Sequence, residues 1–261
     1  MRRLLVILLS VILLCFYGVS QAQSIKIAAA ADLKFALDAV VSAFEAQKIP
    51  NKDQKISIIY GSSGKLHTQI LQGAPYDVFF SADVAYPIAL KKQGLVVGDV
   101  TPYGIGRIVL WRLESIARTK PITLQSLSET SIKHIAIANP ANAPYGKRAQ
   151  EALKHMGMLE RVTPKLVLGE NIAQATQFVQ TGNAEIGIIA LSLALSPALA
   201  DIGEYYLIPD SYYSALIQGF VIIKRAESNQ LAKDFVAYLG SDTAKNILLR
   251  YGFERPSNAV S

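Results

Sequence analysis

The chain alternates short apolar stretches with amphipathic helical patterns, and this alternation restricts its fold more than any other feature. The stretches "IKIAAA", "KISIIYG" and "DVFFSAD" each precede a helical pattern. In the first helix, the apolar residues recur at the spacing of one helical face: Leu33, Leu37, Val40, Val41 and Phe44. Three consecutive units of this kind predict parallel strands with helices on both faces of the sheet.

A second series of the same design begins after Tyr103, with "GRIVLWRL", "HIAIANP", "KLVLGEN" and "EIGIIALS" as its strand candidates. Extended segments near residues 101–106 and 214–222 connect the two series, and the final helices return to the first. We therefore predict an α/β fold of two lobes. The expected division is 1–22 as a signal peptide, 23–102 plus 223–261 as lobe I, and 103–222 as lobe II.

The N-terminal stretch "MRRLLVILLSVILLCFYGVSQA" contains two arginines, an apolar run and small residues before Gln23. This order is typical of a signal peptide cleaved after Ala22, and it predicts export to the periplasm. The alternative is an uncleaved membrane anchor, although the run from Leu4 to Val19 is short for a span of ~20 residues. The only cysteine, Cys15, lies inside this segment. Cleavage would therefore leave a chain without disulfides or thiolate metal ligands.

The charge pattern argues against nucleic-acid binding. The formal net charge is +6, and removing Arg2 and Arg3 with the signal peptide would leave +4. The remaining basic residues are scattered among acidic ones and form no basic run with interleaved aromatic residues. We therefore predict no nucleic-acid partner.

Four turns between strands and helices carry the candidate binding groups. They lie at residues 31–32, 61–64, 139–146 and 169–172, two in each lobe. In open parallel sheets, ligands bind beyond the carboxyl ends of the strands. Helix starts expose N–H groups with partial positive charge, so four of them around one cleft could bind an anion. Alternatively, these are the ordinary capped turns of any α/β protein.

The turn "GSSG" offers two hydroxyl donors, Ser62 and Ser63, between glycines. It does not match a P-loop, because Leu66 stands where Ser or Thr should follow the lysine. It does not match a nucleophile elbow either, because the second glycine comes one residue early. A serine hydrolase would also need a positioned histidine. His67 is close in sequence, on the next helix, and we expect it at the surface.

The other titratable residues indicate no chemistry. His134 precedes a buried strand and His155 lies in a helix. The acidic residues near the turns are isolated and fit no metal cage. Asp77 and Asp83 are interpreted as turn or capping residues, and Lys65 as solvated charge. We therefore predict no catalytic residue, no free metal cation and no cofactor.

The sequence resembles the molybdate-binding proteins of bacterial ABC importers over essentially the whole chain after the signal peptide. The matching stretches are "IAAAADLKFAL", "YGSSGKLHTQILQGAPYDVFFSAD", "IANPANAPYGKRAQEAL", "KLVLGENIAQATQFVQTGNAEIGIIALS" and "AKNILLRYGF". The resemblance implies a type II periplasmic binding protein with two α/β lobes joined by two crossover strands. It further implies a monomer that holds an oxyanion, molybdate or tungstate, by neutral hydrogen bonds. Molybdenum would enter only as this oxyanion, for delivery to the membrane subunits of an ABC permease.

The ligand contacts of that family fall by position on five residues: Ala31, Asp32, Ser63, Tyr145 and Ile172. Ser63 would use its hydroxyl and N–H, and Ile172 only its N–H. Asp32 departs from the family pattern, where many relatives have serine, and so does Ala190, where some have tyrosine. Because an ionised carboxylate ~4 Å from an anion repels it, we expect Asp32 to cap its own helix. Tyr145 is expected to replace the missing phenol.

Other interpretations stay open at this point. The same fold could act as a sensor or bind sulfate, phosphate or a small organic acid, and an exported hydrolase is a further alternative. Phosphate and carboxylate sites often use arginine forks, so a site without arginine would favour a molybdate-like ligand. A hydrolase would need a histidine within reach of Ser62 or Ser63.

Overall fold

The computed structural model describes residues 24–47, 54–114 and 121–256, so the predicted signal peptide lies outside the described residues. The strands are β1 (Ser24–Ala30), β2 (Lys55–Gly61), β3 (Val78–Ser81), β4 (Val96–Gly106), β5 (Ile108–Leu113), β6 (Ile135–Ala138), β7 (Leu166–Gly169), β8 (Ile186–Ala190), β9 (Gly203–Leu207) and β10 (Leu216–Ile223). The helices are α1 (Lys34–Gln47), α2 (Ser63–Leu71), α3 (Ala85–Lys92), α4 (Pro144–His155), α5 (Leu159–Val162), α6 (Ile172–Gln180), α7 (Leu191–Ala194), α8 (Gln230–Tyr238) and α9 (Asp242–Arg250). None of the helices in these ranges has the length and apolar character needed to cross a membrane.

The first lobe is built on a mixed sheet of five strands in the order β2-β1-β3-β10-β4. β1 pairs in parallel with β2 and β3, as the strand–helix units predict. β10 runs antiparallel to both β3 and β4. All of β3 is buried, which is why this strand has an almost continuous apolar sequence rather than an alternating one.

The second lobe has a sheet of the same size in the order β7-β6-β8-β5-β9. β6 is parallel to β7 and β8, whereas β5 is antiparallel to β8 and β9. β8 is buried over its whole length. Both lobes therefore place parallel strands, each followed by a helix, in the part of the sheet predicted from the repeated units.

Two connections carry the chain between the sheets. β4 pairs with β10 from the Gly106–Leu216 pair to the Val96–Ile223 pair, so both strands belong to the first sheet. The change of sheet therefore falls after Gly106 and before Leu216, several residues from the expected limits at 102/103 and 222/223. The closing helices return to the first lobe as predicted, where Phe235 of α8 meets Phe44 of α1 with ring centroids 5.3 Å apart.

The two lobes touch across the cleft. The apolar core of the second lobe includes three alanines from the first: Ala30, Ala31 and Ala82. At the start of α2, the N–H of Gly64 donates a 3.0 Å hydrogen bond to the carbonyl oxygen of Asn142 in the second lobe. A Cβ atom at Gly64 would lie 2.6 Å from that oxygen. Glycine is therefore required for the lobes to approach this closely.

Candidate functional site

A small cavity lies between the lobes where the four strand–helix turns meet. All five residues predicted as ligand contacts line it: Ala31, Asp32, Ser63, Tyr145 and Ile172. Its volume is about 10 Å³, roughly the room that one water molecule needs. The fold therefore brings residues from both lobes to one enclosed place.

Two of the helices begin at the cavity wall. Ser63 is the first residue of α2 and Ile172 is the first residue of α6, and the side chains of Ser62 and Asn171 cap these helices. The first residues of a helix have no intrahelical acceptor for their N–H groups. Because these N–H groups carry the partial positive charge of the helix end, they suit an anion.

The two serines of "GSSG" have different roles. Ser62 Oγ accepts a 3.4 Å hydrogen bond from the N–H of Lys65 as the N-cap of α2. Ser62 therefore supports the turn. Ser63 Oγ accepts a 3.0 Å hydrogen bond from the N–H of Ala82. A hydroxyl that accepts in this way keeps its own proton to donate, so the Ser63 hydroxyl can donate a hydrogen bond at the cavity wall.

Asp32 does not cap its own helix, so that prediction is wrong. It lies inside the 3-10 turn Ala31–Leu33, whose N-cap is Ala30, and no side chain caps that turn. Instead, Asp32 Oδ2 accepts hydrogen bonds from the Tyr145 hydroxyl at 3.0 Å and from Gln218 Nε2 at 2.9 Å. The carboxylate takes this direction because two buried donors meet there, and hydrogen bonds to a charged group are the stronger ones.

Tyr145 belongs to the same network. Its hydroxyl donates to Asp32 and accepts from Gln218 Nε2 at 3.0 Å. Gln218 Oε1 accepts from the hydroxyl of Tyr103, which fixes the orientation of the amide. Burial, and after it the Asp32 charge, hold the pKa values of both tyrosine hydroxyls well above their usual value. Tyr145 thus lies at the cavity as predicted, but its proton is directed to Asp32.

The two oxygens of the Asp32 carboxyl group differ in their hydrogen-bond partners. Burial raises the pKa of Asp32 to about 6, against the opposing effects of the Gln218 and Tyr145 hydrogen bonds and of its own backbone N–H. Whereas Oδ2 accepts two hydrogen bonds, Oδ1 is buried and has no hydrogen-bond partner among the described residues. One carboxylate oxygen of a residue that lines the cavity therefore has no hydrogen-bond donor among the described residues.

Three residues of this network were not predicted from the sequence: Gln218, Tyr103 and Gly106. Gln218 is fully buried and interrupts the apolar strand "LIQGFVII", which is the signal that could have identified it. A Cβ atom at Gly106 would collide with the Tyr145 hydroxyl and the Gln218 amide. Gly106 therefore makes room for the network, whereas nothing in the sequence distinguishes Tyr103 from the other tyrosines.

Ala190, the second departure from the family pattern, lies buried at the end of β8. It is the N-cap of α7, and two residues later Ser192 Oγ donates a 2.8 Å hydrogen bond to the carbonyl oxygen of Asp32. The second lobe therefore holds the Asp32 turn through Ser192 rather than through the side chain at position 190.

The described residues that line the cavity include no arginine, lysine or histidine. Two cations near the turns form ion pairs: Arg148 Nη2 lies 3.2 Å from Asp83 Oδ2, and Lys65 Nζ lies 2.8 Å from Glu170 Oε1. The prediction that Lys65 is only solvated charge needs correction, because Lys65 forms an ion pair with Glu170 of the second lobe. The cavity thus combines neutral donors with a single acidic residue.

The described residues show no arrangement for hydrolysis or cation binding. The hydroxyls of the "GSSG" turn have backbone partners rather than histidine. His67 is half-buried instead of exposed, because its ring packs against Tyr86 with centroids 5.3 Å apart. The described ranges contain no group of three or more His, Cys, Asp or Glu residues that could hold a metal ion. Asp77 is structural as predicted, since it accepts a 2.7 Å hydrogen bond from the N–H of Lys26.

A larger groove of about 510 Å³ lies in the first lobe, between β4 and the C-terminal helices. Apolar side chains such as Phe220, Leu248 and Phe253 form much of its wall. None of the five predicted contact residues lines it. The small cavity between the lobes, where backbone and hydroxyl donors meet, is therefore the better candidate for a polar ligand.

Two α/β lobes, two connecting strands and a cavity ringed by helix starts define a solute-binding protein of the two-lobed type. The chain belongs to the family of bacterial extracellular solute-binding proteins, whose family model matches residues 25–254. This confirms the fold class predicted from the sequence.

Individual relatives sharpen the comparison. The chain is 34% identical over 256 residues to the molybdate-binding protein ModA of Azotobacter vinelandii, covering 97% of each chain. It is 35% identical to ModA of Rhodobacter capsulatus, over 76% of this chain and 77% of that one. The solved periplasmic molybdate-binding protein of Azotobacter vinelandii has a TM-score of 0.82 at 30% identity, covering 89% of this chain and 100% of the other. The resemblance inferred from the turns is therefore confirmed.

Proposed function

We propose that this protein captures molybdate, and tungstate as well, in the cavity between its lobes and delivers it to the membrane subunits of an ABC permease. One observation carries the proposal: Ala31, Asp32, Ser63, Tyr145 and Ile172 line a single cavity. A relative named a molybdate-binding protein matches 97% of the chain. The protein acts by binding, as a periplasmic monomer after loss of residues 1–22, and needs no cofactor.

Neutral donors replace the hydration shell of the anion in this proposal. Ser63 offers its hydroxyl and its N–H, and Ile172 offers its N–H at the start of α6. The turn that contains Ala31 and Asp32 also lines the cavity and would add backbone N–H donors. The absence of an arginine from the described cavity wall favours such an anion over phosphate or a carboxylate, which are often held by arginine forks.

The size of the cavity requires the lobes to move. A tetrahedral oxyanion has four oxygens, whereas a cavity of about 10 Å³ has room for roughly one water molecule. A small parting would stretch, without breaking, the contacts that join the lobes beside the cavity, such as the Gly64–Asn142 hydrogen bond and the Lys65–Glu170 ion pair. How far the lobes part around the anion then sets the preferred anion size, which separates molybdate and tungstate from the smaller sulfate.

Thermal unfolding with added anions tests the proposal. Molybdate or tungstate at about 100 times its dissociation constant should stabilise the purified protein by ~2.7 kcal/mol, and sulfate and phosphate should have little effect at equal concentration. A shift with sulfate but none with molybdate or tungstate would refute the assignment.

A serine variant tests the site itself. Ser63→Ala removes a hydroxyl donor to a charged ligand, a contribution of about 1.5–3 kcal/mol, and should weaken molybdate binding by roughly 10- to 100-fold. Ser42→Ala is the matched control, because Ser42 lies exposed on α1 and bonds only to the Asp38 carbonyl oxygen. Equal affinities of the two variants would remove Ser63 from the site.

A further inference from the structure

The unpaired oxygen of Asp32 is the least explained group in the cavity. Asp32 is 1% exposed, and its Oδ2 accepts hydrogen bonds from Tyr145 and Gln218. Its Oδ1 has no partner among the described residues. A buried polar atom without a partner is costly, and it is more so in an ionised group. A proton on Oδ1 would remove the charge and leave both hydrogen bonds to Oδ2 intact.

Among the described residues, the side chains packed around Asp32 carry no positive charge. Tyr145 of α4 and Tyr103 of β4 stay protonated and neutral, Gln218 of β10 is an amide, and Ser192 of α7 is a hydroxyl. The cations near the turns are paired with other acids: Lys65 with Glu170, and Arg148 with Asp83 and Glu151. A dianion that enters this cavity would therefore face the full charge of an ionised Asp32.

We propose that Asp32 takes up one proton from solvent when the oxyanion binds and donates it from Oδ1 to an oxygen of the anion. Asp32 then acts as a neutral hydrogen-bond donor. Its protonation determines which anions bind and how their affinity depends on pH. This inference rests on the proposed function. One O–H bond forms on the carboxylate, the hydronium ion or buffer acid that supplies the proton loses its bond to it, and no bond within the anion changes.

Estimates of the two losses in affinity indicate that binding is weakened less when Asp32 is protonated than when it stays ionised. With a pKa of about 6, holding the proton at pH 7.5 weakens binding by roughly 30-fold. Repulsion between a dianion and an ionised carboxylate ~4 Å away weakens binding by about 10⁶-fold at an effective dielectric constant of ~20. The nearby dianion also raises the pKa of Asp32 further. Protonation is therefore the lesser cost.

The inference predicts a definite pH dependence. The complex carries one more proton than the free protein wherever free Asp32 is ionised, which is above about pH 6. In that range, molybdate affinity should fall about tenfold for each unit of rising pH. Below about pH 5, the free protein already carries the proton, so the affinity should become independent of pH.

Isothermal titration calorimetry with sodium molybdate measures the proton directly. At pH 7.5, titrations in two buffers of different ionisation enthalpy should show uptake of about one proton per bound anion. Asp32→Asn keeps the shape and supplies an amide donor in place of Oδ1. It should therefore bind with no proton uptake, and at pH 8 about 100-fold more tightly than the unchanged protein. The matched control Asp201→Asn, at an exposed turn, should behave like the unchanged protein.

The possible outcomes separate the two claims. Molybdate binding without proton uptake, at an affinity independent of pH from 6.5 to 8.5 (about two units, a roughly 100-fold expected change), overturns the role of Asp32 and leaves the proposed function standing. Tighter binding of hydrogen phosphate than of molybdate would overturn the role of Asp32, which would then accept a proton from its ligand, and the proposed function with it. Failure of molybdate to bind both the unchanged protein and a folded Asp32→Asn variant at every pH would overturn the proposed function as well.

Discussion

Replacement of Asp32 by asparagine should stabilise the ligand-free protein at neutral pH. The carboxyl group has a pKa of about 6 in the folded protein, against its usual value of 3.8. An acid whose pKa is higher in the folded state lowers stability as the pH rises from the unfolded to the folded value. The difference of about two units corresponds to ~3 kcal/mol. The free energy of unfolding of the unchanged protein should fall by this amount between about pH 4 and pH 6, and it should not recover above pH 6.

Asparagine fits the same place without this cost. Its side-chain oxygen can replace Oδ2 and accept from Tyr145 and Gln218, which lie 3.0 and 2.9 Å from that atom. Its amide group replaces Oδ1, which has no partner among the described residues. The hydrogen bonds within the protein are therefore kept, and the variant differs from the unchanged protein mainly in charge.

Urea unfolding in molybdate-free buffer between pH 4 and pH 8 measures the effect. The difference in unfolding free energy between Asp32→Asn and the unchanged protein should be near zero at pH 4 and should reach ~3 kcal/mol at pH 7. Asp201→Asn removes an exposed carboxylate and controls for the change in net charge. A difference that is independent of pH, or a variant less stable at pH 7, would show that Asp32 is not held in an unfavourable ionised state.

Three further changes test the closed arrangement and the turn. Gly64→Ala places a Cβ atom 2.6 Å from the carbonyl oxygen of Asn142, so molybdate affinity in calorimetry should fall at least tenfold; unchanged affinity would mean that this contact is dispensable. Lys65→Gln breaks a half-exposed ion pair with Glu170 worth at most ~1 kcal/mol, and should weaken binding a few-fold at low salt but not at about 0.5 M NaCl. Ser62→Ala removes the N-cap of α2 and should cost about 1 kcal/mol in urea unfolding, with a cost near zero arguing against the cap.

The features that the sequence predicts correctly are those carried by neighbours along the chain. The spacing of apolar residues predicts the strand–helix units, and the helix starts at Ser63 and Ile172 follow from the turn residues before them. The two crossover strands and the shared cavity follow from the resemblance to a known family. Each of these features depends on residues within one strand–helix unit or on the order of these units along the chain.

The features that the sequence does not predict depend on register between distant strands. The direction of the Asp32 carboxylate is set by Tyr145 and Gln218, which lie 113 and 186 positions away. Gln218 reaches the carboxylate because β10 pairs with β4 in one register, and the lack of a side chain at Gly106 leaves the space. A capping rule considers only sequence neighbours, so it assigned the Asp32 side chain to its own turn.

The network around Asp32 also links its charge to closure of the lobes. Tyr145 belongs to the second lobe, whereas Asp32 directly follows β1 of the first sheet and Gln218 lies on β10 of the same sheet. Separation of the lobes would take Tyr145 away and admit water to the carboxyl group, which removes the burial that raises its pKa. Because closure raises the pKa of Asp32, protonation of Asp32 must favour closure by the same free energy. The proton and the anion, each of which is accommodated best in the closed protein, therefore promote the binding of each other.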